Sequence, residues 1–231
     1  MALTTLTPTT LTRAAAASAV AAGLVFIGVQ VNHPHLDATS ITTTEMVVRS
    51  SLKLLMAVLA LVGVTGMYLR QVRQAGVLGL VGYLLLAANY LVIMGTTFVA
   101  AYVLPSLAQA SPGYVNDVLT AATGGATAGD IGMMQTVITV ESVLFLSGGL
   151  VFGIALFRAR VLARWATVLL AVGGLVTAAL SVMPSAFYRL LALPNGVALV
   201  ALGASLWMNA APAEPNRRAL ASPQLTAAGA E

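Results

Sequence analysis

The sequence predicts an all-α fold: a polytopic membrane bundle of six transmembrane helices with the N and C termini cytoplasmic. Three observations predict it. Hydrophobic residues make up 59% of the 231 positions and charged residues 8%, where soluble chains carry about a quarter charged. The apolar residues gather into six runs that approach or exceed the roughly 20 residues needed to cross a hydrocarbon core of about 30 Å. The arginines concentrate in alternate connections between those runs, as the positive-inside rule requires.

The runs cover about 14–32, 46–69, 75–104, 132–157, 165–183 and 194–210. The first follows Arg13 as a signal peptide would, but it has no small-residue cleavage site and continues into Asn32-His33-Pro34-His35, so it is read as a retained anchor. The third is long enough to tilt or to project beyond the bilayer, with Gly95 as a candidate break. The sixth follows the turn signal Pro194-Asn195-Gly196. This leaves 1–13 as a cytoplasmic segment, 14–210 as the transmembrane domain, and 211–231, rich in Ala and Pro with scattered charges, as a disordered cytoplasmic tail.

With the N-terminus inside, Arg13, Arg70, Arg73, Arg158, Arg160, Arg164, Arg217 and Arg218 share the cytoplasmic side, and only Arg49, Lys53 and Arg189 oppose them. Trp165 and Trp207 then lie near the inner ends, and Tyr102, Tyr114, Phe187 and Tyr188 near the outer ends, as interfacial aromatic belts do. In the outer connection 105–131, Ser111-Pro112-Gly113 opens a short surface helix that Gly124-Gly125 should stop. Met183-Pro184-Ser185 opens a second such candidate.

Composition excludes several function classes. No cysteine is present, so there is no disulfide framework, thiolate nucleophile or cysteine-held metal. The net charge of +4 would suggest nucleic acid in a soluble domain, but here the basic residues sit between apolar runs, so the expected partner is the lipid bilayer and not nucleic acid. No nucleophile elbow and no glycine-rich phosphate loop occurs, and no histidine inside a span is placed to hold haem, so no cofactor is expected.

The candidate site lies on spans two and four. Arg49, Lys53, Met56, Ala60, Gly63 and Met67 recur at helical spacing on span two. Gln135, Thr139, Ser142, Gly149 and Gly153 form a comparable stripe on span four, its last pair a G-x-x-x-G that lets helices approach closely or serves a homo-oligomer. Glu141 lies beside that stripe, on the side of Gly148. At about 1.5 Å per residue, Lys53 falls roughly 10 Å and Glu141 roughly 13 Å below the outer boundary. An isolated charge near the centre of a spanning helix costs on the order of 3 kcal/mol, so opposite charges at one level are expected to pair. Tyr83, Tyr90 and Thr97, spaced by seven on span three, and Asn89 can add hydrogen-bonding groups. The candidate ligand-binding set is therefore Arg49, Lys53, Tyr90, Gln135 and Glu141.

His33, His35 and Asp37, where span one emerges, are the residues from which a metal site could start. They are the only histidines, and Glu45 is the only other carboxylate in that loop, so no metal site is assigned. Instead Pro34 is read as fixing a solvated loop.

The stretch Gly153-Ile-Ala-Leu-Phe-Arg-Ala-Arg-Val-Leu-Ala-Arg-Trp165, followed by an apolar span holding Gly173-Gly174, resembles an uncharacterised group of bacterial six-helix membrane proteins, known mainly as a domain of unknown function. The likeness covers the layout from Arg13 to Trp207, although Ala163 stands where that group often has proline. It implies the six-helix fold and a multi-pass location in a bacterial inner (cytoplasmic) membrane, and brings no activity or catalytic residue with it.

Three functions fit these expectations. The first is binding, linked to transport, of a small or lipidic ligand in an outward-facing polar pocket. The second is a membrane enzyme acting on a lipid or isoprenoid, with Glu141 as general acid. The third is a structural or assembly subunit that uses the G-x-x-x-G face against another chain.

Overall fold

A computed structural model describes residues 7–180 and 192–210. Among these the regular structure is helical, without strands. The expected surface helix after Met183 and the tail 211–231 lie outside the described residues.

Helix α1 spans Pro8–Gly28, opening earlier than expected. The Thr7 side chain accepts from the Thr10 amide at 3.2 Å, and Pro8 sits in the first turn, where its missing N–H is no loss. Helix α2, Thr44–Arg70, begins likewise on Thr43, which accepts from the Met46 amide, with Glu45 in the first turn and Arg70 in the last to complement the helix dipole. Helix α3, Val72–Phe98, does not break at Gly95. It runs on through a π-helical turn, Val99–Val103, into α4, Leu104–Leu107.

Helix α5, Pro112–Ala122, is the expected short helix. Its chain leaves through Thr123 and then Gly124, whose φ of 83° suits glycine. Helix α6 covers Met133–Ala159, α7 Arg164–Leu180 and α8 Ala192–Met208. Pro194-Asn195-Gly196 is thus no turn before the last helix but part of its opening. Proline is tolerated in a first turn, and Gly196 is needed because a Cβ there would meet the Gly23 carbonyl of α1 at 2.9 Å.

Four helical stretches, Pro8–Gly28, Thr44–Arg70, Val72–Leu107 and Met133–Ala159, are long and apolar enough to cross a membrane, and α7 and α8 are shorter apolar helices. This is the make-up of a helical membrane protein. Each long helix packs on its neighbours in chain order, α1 on α2, α2 on α3, α3 on α6, α6 on α7, α7 on α8, and α8 closes the ring on α1.

Small residues set the spacing of the ring. A Cβ on Gly148 of α6 would come within 2.7 Å of the Leu86 nitrogen of α3, and one on Gly203 of α8 within 2.7 Å of the Ala16 carbonyl of α1. Gly153 of the expected G-x-x-x-G is pressed against Ala171 of α7, and Gly149 against the Leu170 carbonyl. That motif is therefore used inside the chain. The α2 stripe behaves as read, with Met56, Ala60, Gly63 and Met67 buried.

Two apolar clusters result. The larger fills the centre of the ring with Met56, Leu86, Tyr90, Phe152, Leu199 and their neighbours. The smaller, built from Ile41, Met46, Leu104, Val115, Leu119 and Ile131, holds together the two long connections at the opposite end from the arginine turns.

Candidate functional site

Between the two clusters lies a partly open cavity of about 240 Å³. Met56 of α2, Phe26 of α1 and Ile93 of α3 belong to its inner part, and Leu36, Ile41, Leu119 and Thr123 come from the overlying connections. Lys53 enters its lining from α2 and Glu141 from α6.

The overlying layer is fixed by polar side chains bound to backbone. Asn116 of α5 accepts from the Ala38 amide at 2.7 Å, joining the two connections. Asp117 accepts from the amides of Ala128 and Gly129 at 2.8 and 2.9 Å, and Asp130 from Gly132 at 2.7 Å. Asp37 accepts from the Ser40 and Thr39 amides at 2.7 and 2.9 Å and opens the 3₁₀ turn Ser40–Thr42. The Ser40 amide, with help from Thr39 and His35, holds its carboxyl below the usual 3.8. Glu45 pairs with Arg49 at 2.8 Å. Among the described carboxylates these four serve the loops and helix ends, and Glu141 alone sits within a long apolar helix.

Helix α6 orients Glu141 by periodicity. Glu141 and Gly148, seven residues apart, share one face, and that face meets α3. Where Gly148 touches Leu86, Glu141 meets Thr96, whose Oγ1 lies 2.8 Å from Glu141 Oε2. Thr96 Oγ1 is also 3.2 Å from the Ile93 carbonyl, so its single proton goes to the shorter contact.

Lys53 is held differently. Its Nζ lies 3.2 Å from Nε2 of His33, a residue only 6% exposed. His33 Nδ1 is 2.9 Å from the Pro34 carbonyl, which can only accept. Nδ1 therefore donates to that carbonyl, and Nε2 is the ring atom that faces the lysine.

The direct ion pair expected between Lys53 and Glu141 is not formed. No contact within 4 Å joins them, because each is engaged by a neighbour on its own side of the cavity.

The other sequence candidates fall elsewhere. Arg49 does not line the cavity. Its Nη1 donates to the carbonyls of Val29 and Val31 at 2.9 and 3.0 Å and its Nη2 to Asn32 at 3.3 Å, so it caps the end of α1. Tyr90 is buried in the central cluster, outside the cavity. Gln135 is exposed near the start of α6 and lines nothing there. Of the column spaced by seven only Thr97 reaches the cavity, while Tyr83 stacks on Tyr68 with ring centroids 4.8 Å apart. Asn89 is fully buried, and neither of its side-chain polar atoms has a partner.

The metal candidates separate. His33 turns to Lys53, while His35 pairs with Asp37 at 3.4 Å in an exposed position. Among the described residues no group of three metal-ligating side chains gathers.

Thr96 and the His33 contact were missed from sequence. Thr96 carried a readable signal, since it sits near the loop end of α3 at the level already assigned to Glu141 on the facing helix.

No family model, curated protein or solved structure matches the chain.

Proposed function

We propose that this protein is a ligand-binding membrane protein of six spans, with both termini cytoplasmic, in a bacterial inner membrane. Its site is the cavity that carries Lys53 and Glu141, opening outward and accepting a small or lipidic ligand for binding and transport. The observation that carries this is the presence of two opposite charges on separate helices, α2 and α6, in the lining of one apolar-walled cavity.

The orientation draws support from the charges. Arg13, Arg70, Arg73, Arg158, Arg160 and Arg164 gather at one end, and Arg49 and Lys53 belong to the other. The likeness of Gly153–Trp165 to bacterial six-helix proteins supports the location. Thermal-shift and uptake measurements on the purified protein test the reading: a ligand stabilises the wild type, and Lys53→Ala abolishes the response. Screens in which no small molecule or lipid shifts the wild type count against it.

A second reading keeps one specific support. Glu141 is met by the neutral hydroxyl of Thr96 and not by an ammonium, which suits a general acid acting on a lipid or isoprenoid. Lipid extracts that are identical with wild type and Glu141→Gln remove it. A structural or assembly role is less favoured, because Gly149 and Gly153 face α7 of the same chain.

A further inference from the structure

We propose that the groove between α1 and α2, at the arginine end of the bundle, seats one anionic phospholipid, with its phosphate at Arg70 and one acyl chain along the groove. This groove shares no lining residue with the cavity at Glu141, so the two sites stand or fall separately.

Shape is the first argument. The groove holds about 540 Å³ and is walled mainly by Leu11 and Ala15 of α1 and by Leu61, Val62 and Leu69 of α2. The two helices touch where Gly66 meets Ala15, with no room between them for a Cβ on the glycine. Beside that contact Leu11, Val62 and Leu69 stand exposed, so the slot is apolar and opens on the outer surface of the ring. The hydroxyls in its lining are already bonded. Thr12 Oγ1 donates to the Pro8 carbonyl at 2.8 Å and Thr65 Oγ1 to the Leu61 carbonyl at 2.7 Å, so neither requires a polar occupant.

Charge is the second. Arg70, in the last turn of α2, is the one charged residue in the lining. Its Nη2 donates to the Asn209 carbonyl at 2.8 Å, and among the described residues no carboxylate engages the guanidinium. Most of its five donors therefore remain, in the fork that matches a phosphate. With no acid in the lining to attract an ammonium, a headgroup of net negative charge fits better than a zwitterionic one.

Depth is the third. From Arg70 to Leu61 the groove follows α2 for about 13 Å, at a rise of about 1.5 Å per residue. The hydrocarbon of one leaflet is about 15 Å deep, half of roughly 30 Å. With the guanidinium at headgroup level, the groove ends where the acyl chains of that leaflet end. A spanning helix from a second copy would need a face that runs through both leaflets, and this groove serves one.

The full chain, purified in a neutral detergent, is titrated with phosphatidylglycerol and with phosphatidylcholine of the same acyl chains, and bound lipid is counted by native mass spectrometry. One phosphatidylglycerol should bind the wild type about tenfold tighter than phosphatidylcholine, as a hydrogen bond to a charged group supplies. Arg70→Gln should remove that preference. Val62→Trp, which fills the slot and keeps every charge, should weaken the binding of both lipids. Arg158→Gln, at an exposed arginine near the end of α6, should change neither.

Equal affinity of the wild type for the two lipids, or equal losses with Arg70→Gln and Arg158→Gln, overturns the proposal in favour of general attraction to the arginine end. Lipid binding untouched by Val62→Trp also overturns it, and a dimer that this variant converts to monomer then gives the groove to a second copy. Should one variant fail to fold, the wild-type preference and the remaining variants decide.

Discussion

Thr96 on α3 holds the carboxylate of Glu141 on α6 through a 2.8 Å hydrogen bond, and this contact aligns the charged wall of the cavity with α3. A carboxylate on a spanning helix that turned to the acyl chains would be costly, so the bond and the shared face with Gly148 together keep it at the cavity.

Thr96→Val removes the donor and retains the shape. It should lower stability by about 1 kcal/mol, in the range of hydrogen bonds within membrane bundles, and weaken ligand binding, while Thr96→Ser leaves both nearly unchanged. Reversible unfolding in bicelles measures the first and equilibrium binding the second. Equal stability of the three proteins would show that the bond contributes nothing.

Arg49 was legible as a charge on the right stripe but not as a cap. Its role depends on where α1 ends, and the free carbonyls of Val29, Val31 and Asn32 lie in a stretch read as the end of a longer span. Arg49→Gln should cost about 2 kcal/mol through those carbonyls, and Arg49→Lys should recover less than half, since one ammonium cannot reproduce the guanidinium fork. Ligand affinity of the folded fraction should stay unchanged in both. A large loss of affinity would return Arg49 to the site.

Glycine positions separate cleanly. Gly148→Val, with the Leu86 backbone 2.7 Å from its Cβ, should destabilise by about 2–3 kcal/mol, whereas Gly95, with nothing within 4 Å, should accept alanine and gain a few tenths to about 1 kcal/mol. Unfolding measurements that rank the two alike would contradict the α3–α6 packing.

Asp37 gives a pH prediction. Its carboxyl is held below the ordinary 3.8 by the Ser40 amide first, so it contributes stability that is present above 3.8 and lost as pH falls below that value through the folded one. Thermal stability of the wild type should therefore drop between pH 4 and pH 2 more than that of Asp37→Asn. Parallel curves over that interval would remove the contribution.

Periodicity made much of this readable and contacts made the rest opaque. The face of Glu141 and the burial of Met56, Ala60, Gly63 and Met67 follow from helical spacing. Partner choice does not, because it turns on side-chain reach across helices. Lys53 and Glu141 line one cavity yet meet His33 and Thr96. The two histidines suggested a metal from their spacing, but Lys53 draws one inward and Asp37 keeps the other at the surface. Pro194-Asn195-Gly196 has the composition of a turn and serves as a helix opening, a difference that only the close approach of α1 decides.

The central claim is that a water-accessible site reaches the charges within the bundle. Because the chain has no native cysteine, a single thiol reports on it directly. Ser50, 4% exposed and in the cavity lining, is replaced by cysteine, with Val143→Cys, 58% exposed on the outside of α6, as the lipid-facing control. In membranes treated with a small water-soluble methanethiosulfonate, Ser50→Cys should react and Val143→Cys should not. An unreactive Ser50→Cys beside a reactive Val143→Cys would contradict the account.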